Sequence, residues 1–138
     1  MITRCFKDSS KLLTILKAYK DLLGISPEDY IQKDKNINLV VGESAGLFVY
    51  QYPGVYVGHY LFEVRGAEAI ALAKQMLYEV FNNHDVKVVM GLTPVENRAA
   101  LFMTRRLRFT SHGVVGTTTG DCEMFIMTKK DYEVQENG

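Results

Sequence analysis

The stretch GLTPVENRAALFMTRRLRF, residues 91–109, carries the clearest indication of the fold. Thr93, Pro94 and Glu96 form the pattern of a helix capping box with proline at the first helical position. An apolar stripe at helical spacing follows, made of Ala100, Met103 and Leu107. The pattern predicts a helix that begins beside Thr93. Helix capping explains these first residues, but it does not explain Asn97.

The remainder of the chain alternates between helical and extended patterns. Apolar periodicity predicts helices over residues 9–24, 26–32 and 66–84. Runs rich in Val, Tyr and Phe predict strands over residues 2–6, 37–44, 46–54, 55–64 and 86–91, and two more within 112–129. The last residues, 131–138, are expected to form a partly frayed tail.

This order predicts an α/β fold. The 55–64 strand is apolar on both faces and is expected in the middle of the sheet. The helix after it implies a right-handed crossover to a parallel neighbour at 86–91, while the other strands pair antiparallel. A mixed central sheet with helices on both faces is a three-layer sandwich, here a single domain over residues 1–138.

The composition argues for a protein of the cytoplasm. The 16 basic and 16 acidic residues cancel, which gives no electrostatic reason to expect nucleic acid or a membrane surface as partner. No apolar run is long enough to span a bilayer, and the first residues lack a secretory signal pattern. Cys5 and Cys122 have no metal-ligand spacing and are expected as reduced structural thiols.

Two segments together resemble a known superfamily. The spacing of Asn97, Ala100, Leu107 and Phe109 is similar to the second signature of the GCN5-related N-acetyltransferase (GNAT) superfamily. The run that begins Arg65-Gly66-Ala67-Glu68-Ala69 occupies the place of its pyrophosphate-binding loop. Both segments are closest in form to divergent members from bacteriophage and prophage genomes. The resemblance implies the GNAT-like acyl-CoA N-acyltransferase fold over nearly the whole chain.

The resemblance also implies acetyl-CoA as cosubstrate and a set of residues that bind it. The strand end would offer its backbone groups to the pantetheine arm and to the thioester carbonyl, through Leu61, Phe62 and Val64. The following helix start would hold the pyrophosphate, through Arg65, Gly66, Ala67, Glu68 and Ala69. Asn97 would contact the pantetheine arm.

Four positions depart from the superfamily pattern. Glu68 and Ile70 stand where the loop usually has glycines, Thr104 stands at the usual tyrosine, and Arg108 at the usual glycine. Two functions therefore remain open. The first is an N-acetyltransferase in which a small-molecule or protein amine attacks acetyl-CoA directly. The second is a catalytically weakened or inactive GNAT-like protein with an assembly role in a bacteriophage.

His59 and Glu63 are the candidates for the general base. Histidine titrates in the range that such work needs, and the spacing of four along a strand puts both side chains on one face. The alternative is a hydrogen-bonded core histidine and a strand-end carboxylate without a catalytic role.

The arginines near the end of the signature helix allow two interpretations. Four of the six in the chain lie between residues 98 and 108. They either form a solvated basic helix end or contact the 3′-phosphate of the cosubstrate or an acidic partner. A homodimer or a phage assembly partner is a further expectation, with the host cytoplasm as the location if the chain is phage-encoded.

Overall fold

The computed structural model describes residues 1–137, within which seven strands form one mixed sheet flanked by helices. The strands are β1 (Thr3–Cys5), β2 (Ile37–Val41), β3 (Ser44–Tyr52), β4 (Val55–Leu61), β5 (Val88–Pro94), β6 (Thr110–Thr117) and β7 (Gly120–Thr128). The helices are α1 (Ser10–Ala18), α2 (Lys20–Leu23), α3 (Pro27–Ile31), α4 (Ala67–Asn83), α5 (Arg98–Arg106) and α6 (Lys129–Asn137). Within residues 1–137, none of these helices is long and apolar enough to cross a membrane.

The predicted mixed sheet is confirmed. The strands lie in the order β1-β2-β3-β4-β5-β7-β6, so β4 is central. β4 and β5 are parallel, as expected for two strands joined by a crossover helix, and the other described pairs are antiparallel. The predicted order of the sheet's strands along the chain is also correct.

The two faces of the sheet have separate apolar cores. One is formed against α4, α5 and α6, with Phe48, Met76, Phe81 and Met127 among its buried side chains. The other lies under α1 and α3 and includes Leu12, Leu16, Leu47 and Leu61. Successive residues of β4 therefore point alternately into the two cores, with Tyr60 on the α4 face and Leu61 on the α1 face.

The predicted helix over residues 9–24 is divided in the structure. Ser9 caps α1, and its hydroxyl accepts a hydrogen bond from the Leu12 amide at 3.1 Å. Tyr19 has φ −115° and ψ 24°, which ends α1 and leaves α2 as a separate short turn. Gly24 closes α2 in the left-handed conformation, as the predicted glycine stop requires.

The predicted start of the helix within residues 91–109 is wrong. Thr93 is a buried residue of β5, which continues through Pro94 because β7 pairs with it up to Cys122. The helix begins at Arg98 instead, and Asn97 is its N-cap. The capping-box pattern is a local signal, and here long-range strand pairing overrides it.

The predicted tail is also wrong. Residues Lys129–Asn137 form α6, while Gly138 lies outside the described residues. Tyr132 is buried and stacks on Phe81 of α4 with ring centroids 4.8 Å apart. Apolar contact with α4 thus orders a segment that is mostly polar.

Arg108 has a left-handed backbone conformation, with φ 68°. The Arg108 amide donates to the Arg105 carbonyl and the Phe109 amide to the Thr104 carbonyl, at 2.9 and 3.3 Å, which is the Schellman pattern of a helix end. Glycine is the residue that this position favours. The superfamily glycine that Arg108 replaces therefore has a structural reason.

Replacing Arg108 with glycine should accordingly raise the free energy of unfolding, by about 0.5–1 kcal/mol, since it relieves this backbone conformation. Urea denaturation measures the change. The matched control is Arg108→Ala, which removes the charge but keeps a Cβ and should not stabilise the chain. Equal stabilisation by both variants would assign the effect to the charge instead.

Candidate active site

The central feature of the sheet is a gap between β4 and β5. In the described residues these strands pair only at Val55↔Val88, Tyr56↔Val89 and Val57↔Met90, although both continue further. Beyond these pairs the strands diverge. Backbone groups that face the gap there lack the neighbouring strand that would normally pair with them.

Backbone alternation identifies which groups face the gap. The Gly54 carbonyl accepts from the Val88 amide, so β4 residues at even spacing from Gly54, including Tyr60, direct their backbone toward β5. On β5, the Val95 amide donates to the Asp121 carbonyl, so Leu92 faces the opposite way, toward β4. The gap thus presents peptide groups from both of its edges.

A cleft of about 610 Å³ passes through this gap. Its lining on the α5 face of the sheet comes from Asn97, Ala100, Met103 and Thr104. Its lining on the α1 face comes from α2, α3 and the segments around them, with Leu22, Leu23, Ile25, Tyr30 and Lys33. Because one cleft has walls on both faces, two molecules entering from opposite faces can meet between β4 and β5.

On the α5 side, two polar side chains are already engaged. The Asn97 side-chain oxygen accepts from the Ala100 amide at 3.2 Å, which makes it a helix cap at the wall of the cleft. The Thr104 hydroxyl donates to the Ala100 carbonyl at 2.8 Å. The hydroxyl proton of Thr104 is therefore engaged within α5.

Tyr60 lines the cleft, and its side chain carries an unused polar atom. Its ring packs edge-on against Phe48, with centroids 6.2 Å apart, and lies 5.2 Å from Phe62. Its hydroxyl is buried and has no hydrogen-bond partner among the described residues. Burial raises the pKa of Tyr60 far above its ordinary value, so the hydroxyl stays protonated and acts as a hydrogen-bond donor. A buried donor without a partner costs about 1–3 kcal/mol, which a ligand acceptor would recover.

His59 lines the cleft from the opposite face of β4. It lies directly across from Leu47 of β3 and shares the α1 face with Leu61. The ring is accessible from the cleft, yet the surrounding protein removes part of its hydration, and this desolvation lowers the pKa of His59. The imidazole is therefore neutral at pH 7 and able to accept a proton.

Glu63 does not join His59 in the cleft. β4 ends at Leu61, so the strand alternation that predicted a shared position for His59 and Glu63 no longer applies. The Glu63 amide donates to the Ser44 hydroxyl at 3.0 Å, and its carboxylate lies beside Gly42 at the β2–β3 turn. Of the two predicted base candidates, the structure brings only His59 to the cleft.

The N-terminus of α4 forms a second site on the α5 face of the sheet. The first bond of the helix joins the Ile70 amide to the Gly66 carbonyl at 3.1 Å, so the amides of Ala67, Glu68 and Ala69 precede it without a helical acceptor. No side chain of residues 1–137 caps this end, and Gly66 supports it with φ 61°. Free amides at the start of a 17-residue helix favour an anion.

A second pocket, of about 390 Å³, lies between this helix start and α5. Its lining residues are Gly66, Ala67, Ile70, Ala71, Lys74, Phe102 and Arg106. Lys74 and Arg106 make it positively charged, and the Arg106 guanidinium lies 5.8 Å from the centre of the Phe102 ring. Arg65 and Glu68 are exposed at the same helix end and carry opposite charges.

The arginines of the signature segment thus divide by environment. Arg105 forms an ion pair with Glu123 at 2.7 Å and has no part in either site. Arg106 lines the second pocket. The sequence did not indicate Lys74, Phe102 or the apolar residues of α2, because each lies on a separate helix and only the fold brings them to these sites.

No protein-family model matches the sequence, and a comparison with curated proteins finds no match either. Solved structures do match. A variant of the spermidine N-acetyltransferase SpeG from Vibrio cholerae has a TM-score of 0.79 and 12% identity, with 99% of this chain and 97% of that chain covered.

The names of two further structural neighbours give other acceptors of the acetyl group. Aminoglycoside acetyltransferase AAC(6')-Ib in complex with coenzyme A has a TM-score of 0.70 and 13% identity over 99% of this chain and 98% of that one. Ribosomal-protein-S5-alanine acetyltransferase from Vibrio fischeri has a TM-score of 0.70 and 10% identity, covering 95% and 93%. The fold of this chain is therefore that of the GCN5-related N-acetyltransferases.

Proposed function

We propose that this chain is an N-acetyltransferase that binds acetyl-CoA and transfers the acetyl group to an amine by direct attack. The observation that carries the proposal is the single cleft through the gap between β4 and β5. It connects the α5 face of the sheet, which also carries the free amides at the start of α4, to the α1 face, where the neutral His59 is accessible.

The residues present fit acetyl-CoA on the α5 face. The free amides at the start of α4 suit its pyrophosphate, and Lys74 and Arg106 suit its further phosphate. The pantetheine arm is extended and carries amide groups. Such an arm can pair with the backbone of Tyr60 and Leu92 as an added strand would, and it supplies an acceptor for the Tyr60 hydroxyl.

The residues at the gap divide the chemistry between them. Acetyl-CoA, when bound, supplies an acetyl group activated as a thioester. Backbone N–H groups that face the gap donate to the carbonyl oxygen as negative charge develops there. On the opposite face, an imidazole nitrogen of His59 takes the proton from the attacking amine. The chain needs no nucleophile of its own for this direct transfer.

The named activities of the structural neighbours support the same reaction. Spermidine and aminoglycosides both offer amines, and several of the neighbouring structures contain coenzyme A or acetyl-CoA. Those names describe the neighbours, and the low identity makes the fold the only property carried over directly. The site residues of this chain carry the rest of the proposal.

An assay of the amine-dependent release of coenzyme A from acetyl-CoA tests the proposal. The protein is incubated with acetyl-CoA and a panel of primary amines, and free coenzyme A and acetylated amine are both quantified. We expect release that depends on one or more amines and equals the product formed. Tight binding of acetyl-CoA with no acetylated product from any amine would favour the predicted alternative, a weakened GNAT-like protein with an assembly role.

Tyr60→Phe should separate stability from cosubstrate binding. Removal of an unpartnered buried hydroxyl should leave the free energy of unfolding unchanged or raise it by up to about 1 kcal/mol. It should also weaken acetyl-CoA binding by about 3–10-fold, because one hydrogen bond to the ligand is lost. Urea denaturation and calorimetric titration give the two values.

Tyr30→Phe is the matched control for stability. The Tyr30 hydroxyl donates to the Asn38 side-chain oxygen at 2.7 Å in the core, so its removal should destabilise the chain by about 1–3 kcal/mol. If Tyr60→Phe destabilised the protein equally and left acetyl-CoA affinity unchanged, the assigned role of the Tyr60 hydroxyl would be wrong.

A further inference from the structure

The α1 side of the cleft has a largely apolar wall around His59. We call this part the wall, and its lining residues are Leu22, Leu23, Ile25, Tyr30, Lys33 and Leu92. Three of its apolar side chains are exposed to water, with exposed fractions of 70% for Leu22, 51% for Leu92 and 40% for Ile25. Their grouping around one opening favours a ligand that covers them with apolar surface.

The charged residues that line this side of the cleft also restrict which acceptor can bind. Of the described residues that line the cleft, none is an aspartate or glutamate, and Lys33 is the one with a permanent charge. The Tyr30 hydroxyl is engaged with Asn38 in the core, so Tyr30 offers its ring to the cleft rather than a polar atom. A second ammonium group on the acceptor would meet apolar side chains and a like charge.

We propose, on the basis of the acetyl transfer inferred above, that the acceptor is a primary monoamine on an aliphatic or aromatic body. Polycations such as spermidine, the named substrate of a structural neighbour, are poor acceptors for this chain. The apolar body of the amine covers Leu22, Ile25 and Leu92, while its nitrogen lies toward His59 and the gap.

The reaction balances without a further reactant. The acceptor first loses one proton from its ammonium form to solvent. A bond then forms between the amine nitrogen and the acetyl carbon, and the bond from that carbon to sulfur breaks. The second amine proton passes to His59 and finally to solvent, and the departing thiolate takes a proton from water. The products are an N-acetylated apolar amine and free coenzyme A.

The test compares two amines that differ at one end only. With saturating acetyl-CoA, kcat/KM is measured for hexylamine and for hexamethylenediamine, which has the same six carbons but carries an ammonium group on the carbon that is the terminal methyl of hexylamine. Phenethylamine and spermidine extend the comparison. We expect hexylamine and phenethylamine to exceed the diamine and spermidine by at least about tenfold. Equal or higher values for the diamine and spermidine would overturn the inference while leaving the acetyl transfer intact.

A charge introduced at the wall provides a second, independent readout. Leu92→Glu changes an exposed side chain, so folding should be retained, and it should raise kcat/KM for hexamethylenediamine while lowering it for hexylamine. Leu92→Gln is the matched uncharged control and should lower the hexylamine value without improving the diamine. An unchanged ratio in Leu92→Glu would place the acceptor elsewhere.

Failure of the proposed function has a different signature. If no amine is acetylated, the acetyl transfer itself is refuted. Methyl NMR spectra of the complex with coenzyme A then still report whether hexylamine shifts the signals of Leu22, Ile25 and Leu92. Absence of any shift at saturating hexylamine would refute the apolar acceptor site as well.

Discussion

Replacing His59 with glutamine should lower kcat for acetyl transfer by about 10²–10⁴-fold. Glutamine retains a polar group of similar size but cannot take a proton from the amine. The affinity for acetyl-CoA should stay at the wild-type value, because His59 lies on the α1 face and the proposed cosubstrate site lies on the α5 face. Single-turnover kinetics and calorimetric titration measure the two effects separately.

His112→Gln is the control for this change. His112 is exposed on β6 and outside the cleft, so its replacement should leave kcat unaltered. The pH profile adds a further check. Partial desolvation by the surrounding protein lowers the pKa of His59, so the neutral base persists to lower pH, and the acid limb of kcat should lie below the ordinary histidine value. Wild-type kcat in His59→Gln would remove His59 from the mechanism.

Replacing Phe81 with alanine should have the largest effect on stability, a loss of about 3–5 kcal/mol in the free energy of unfolding. Phe81 is fully buried in the core between the sheet and α4, and its ring stacks on Tyr132 of α6. The change therefore leaves a cavity and removes the aromatic stack that joins α4 to α6. A loss of this size is a large share of the stability of an ordinary domain.

Tyr78→Ala is the matched control, because Tyr78 is an aromatic residue of the same helix that is 57% exposed. Its replacement should change the free energy of unfolding by less than about 0.5 kcal/mol. Hydrogen exchange should show faster exchange throughout α6 in Phe81→Ala and not in Tyr78→Ala. Slow exchange of α6 in both variants would mean that contacts other than Phe81 hold this helix.

The sheet and its crossover could be predicted because their signals are local. Apolar periodicity and turn residues marked each strand, and the helix after residues 55–64 required a parallel neighbour. The start of α5 could not be predicted in the same way. Thr93 to Glu96 satisfy a helix-capping rule, but pairing of β5 with β7 depends on residues about 30 positions later.

The residues of the candidate site show the same difference between local signals and contacts made only in the fold. Gly66, Ala67 and Asn97 were identified through short motifs, and the structure places each at one of the two pockets. Lys74 and Phe102 have no local signal, since each is a solvent-facing helix residue whose meaning depends on the other helix. Glu63 was misplaced because the alternation rule was carried beyond the end of β4.

A melting-temperature titration with acetyl-CoA tests the central claim most directly, that the gap between β4 and β5 holds the cosubstrate. At a ligand concentration about 100 times Kd, binding adds about 2.7 kcal/mol to the native state. Ala100 lines the cleft and Ala99 is exposed beside it, so Ala100→Phe should block binding and Ala99→Phe should not. Ala100→Leu repeats the test if the larger side chain itself lowers the melting temperature of the unliganded protein. The account predicts a saturable rise in wild type and Ala99→Phe and none in the blocked variants. No rise in wild type at millimolar acetyl-CoA, or an equal rise in Ala100→Phe, would contradict it.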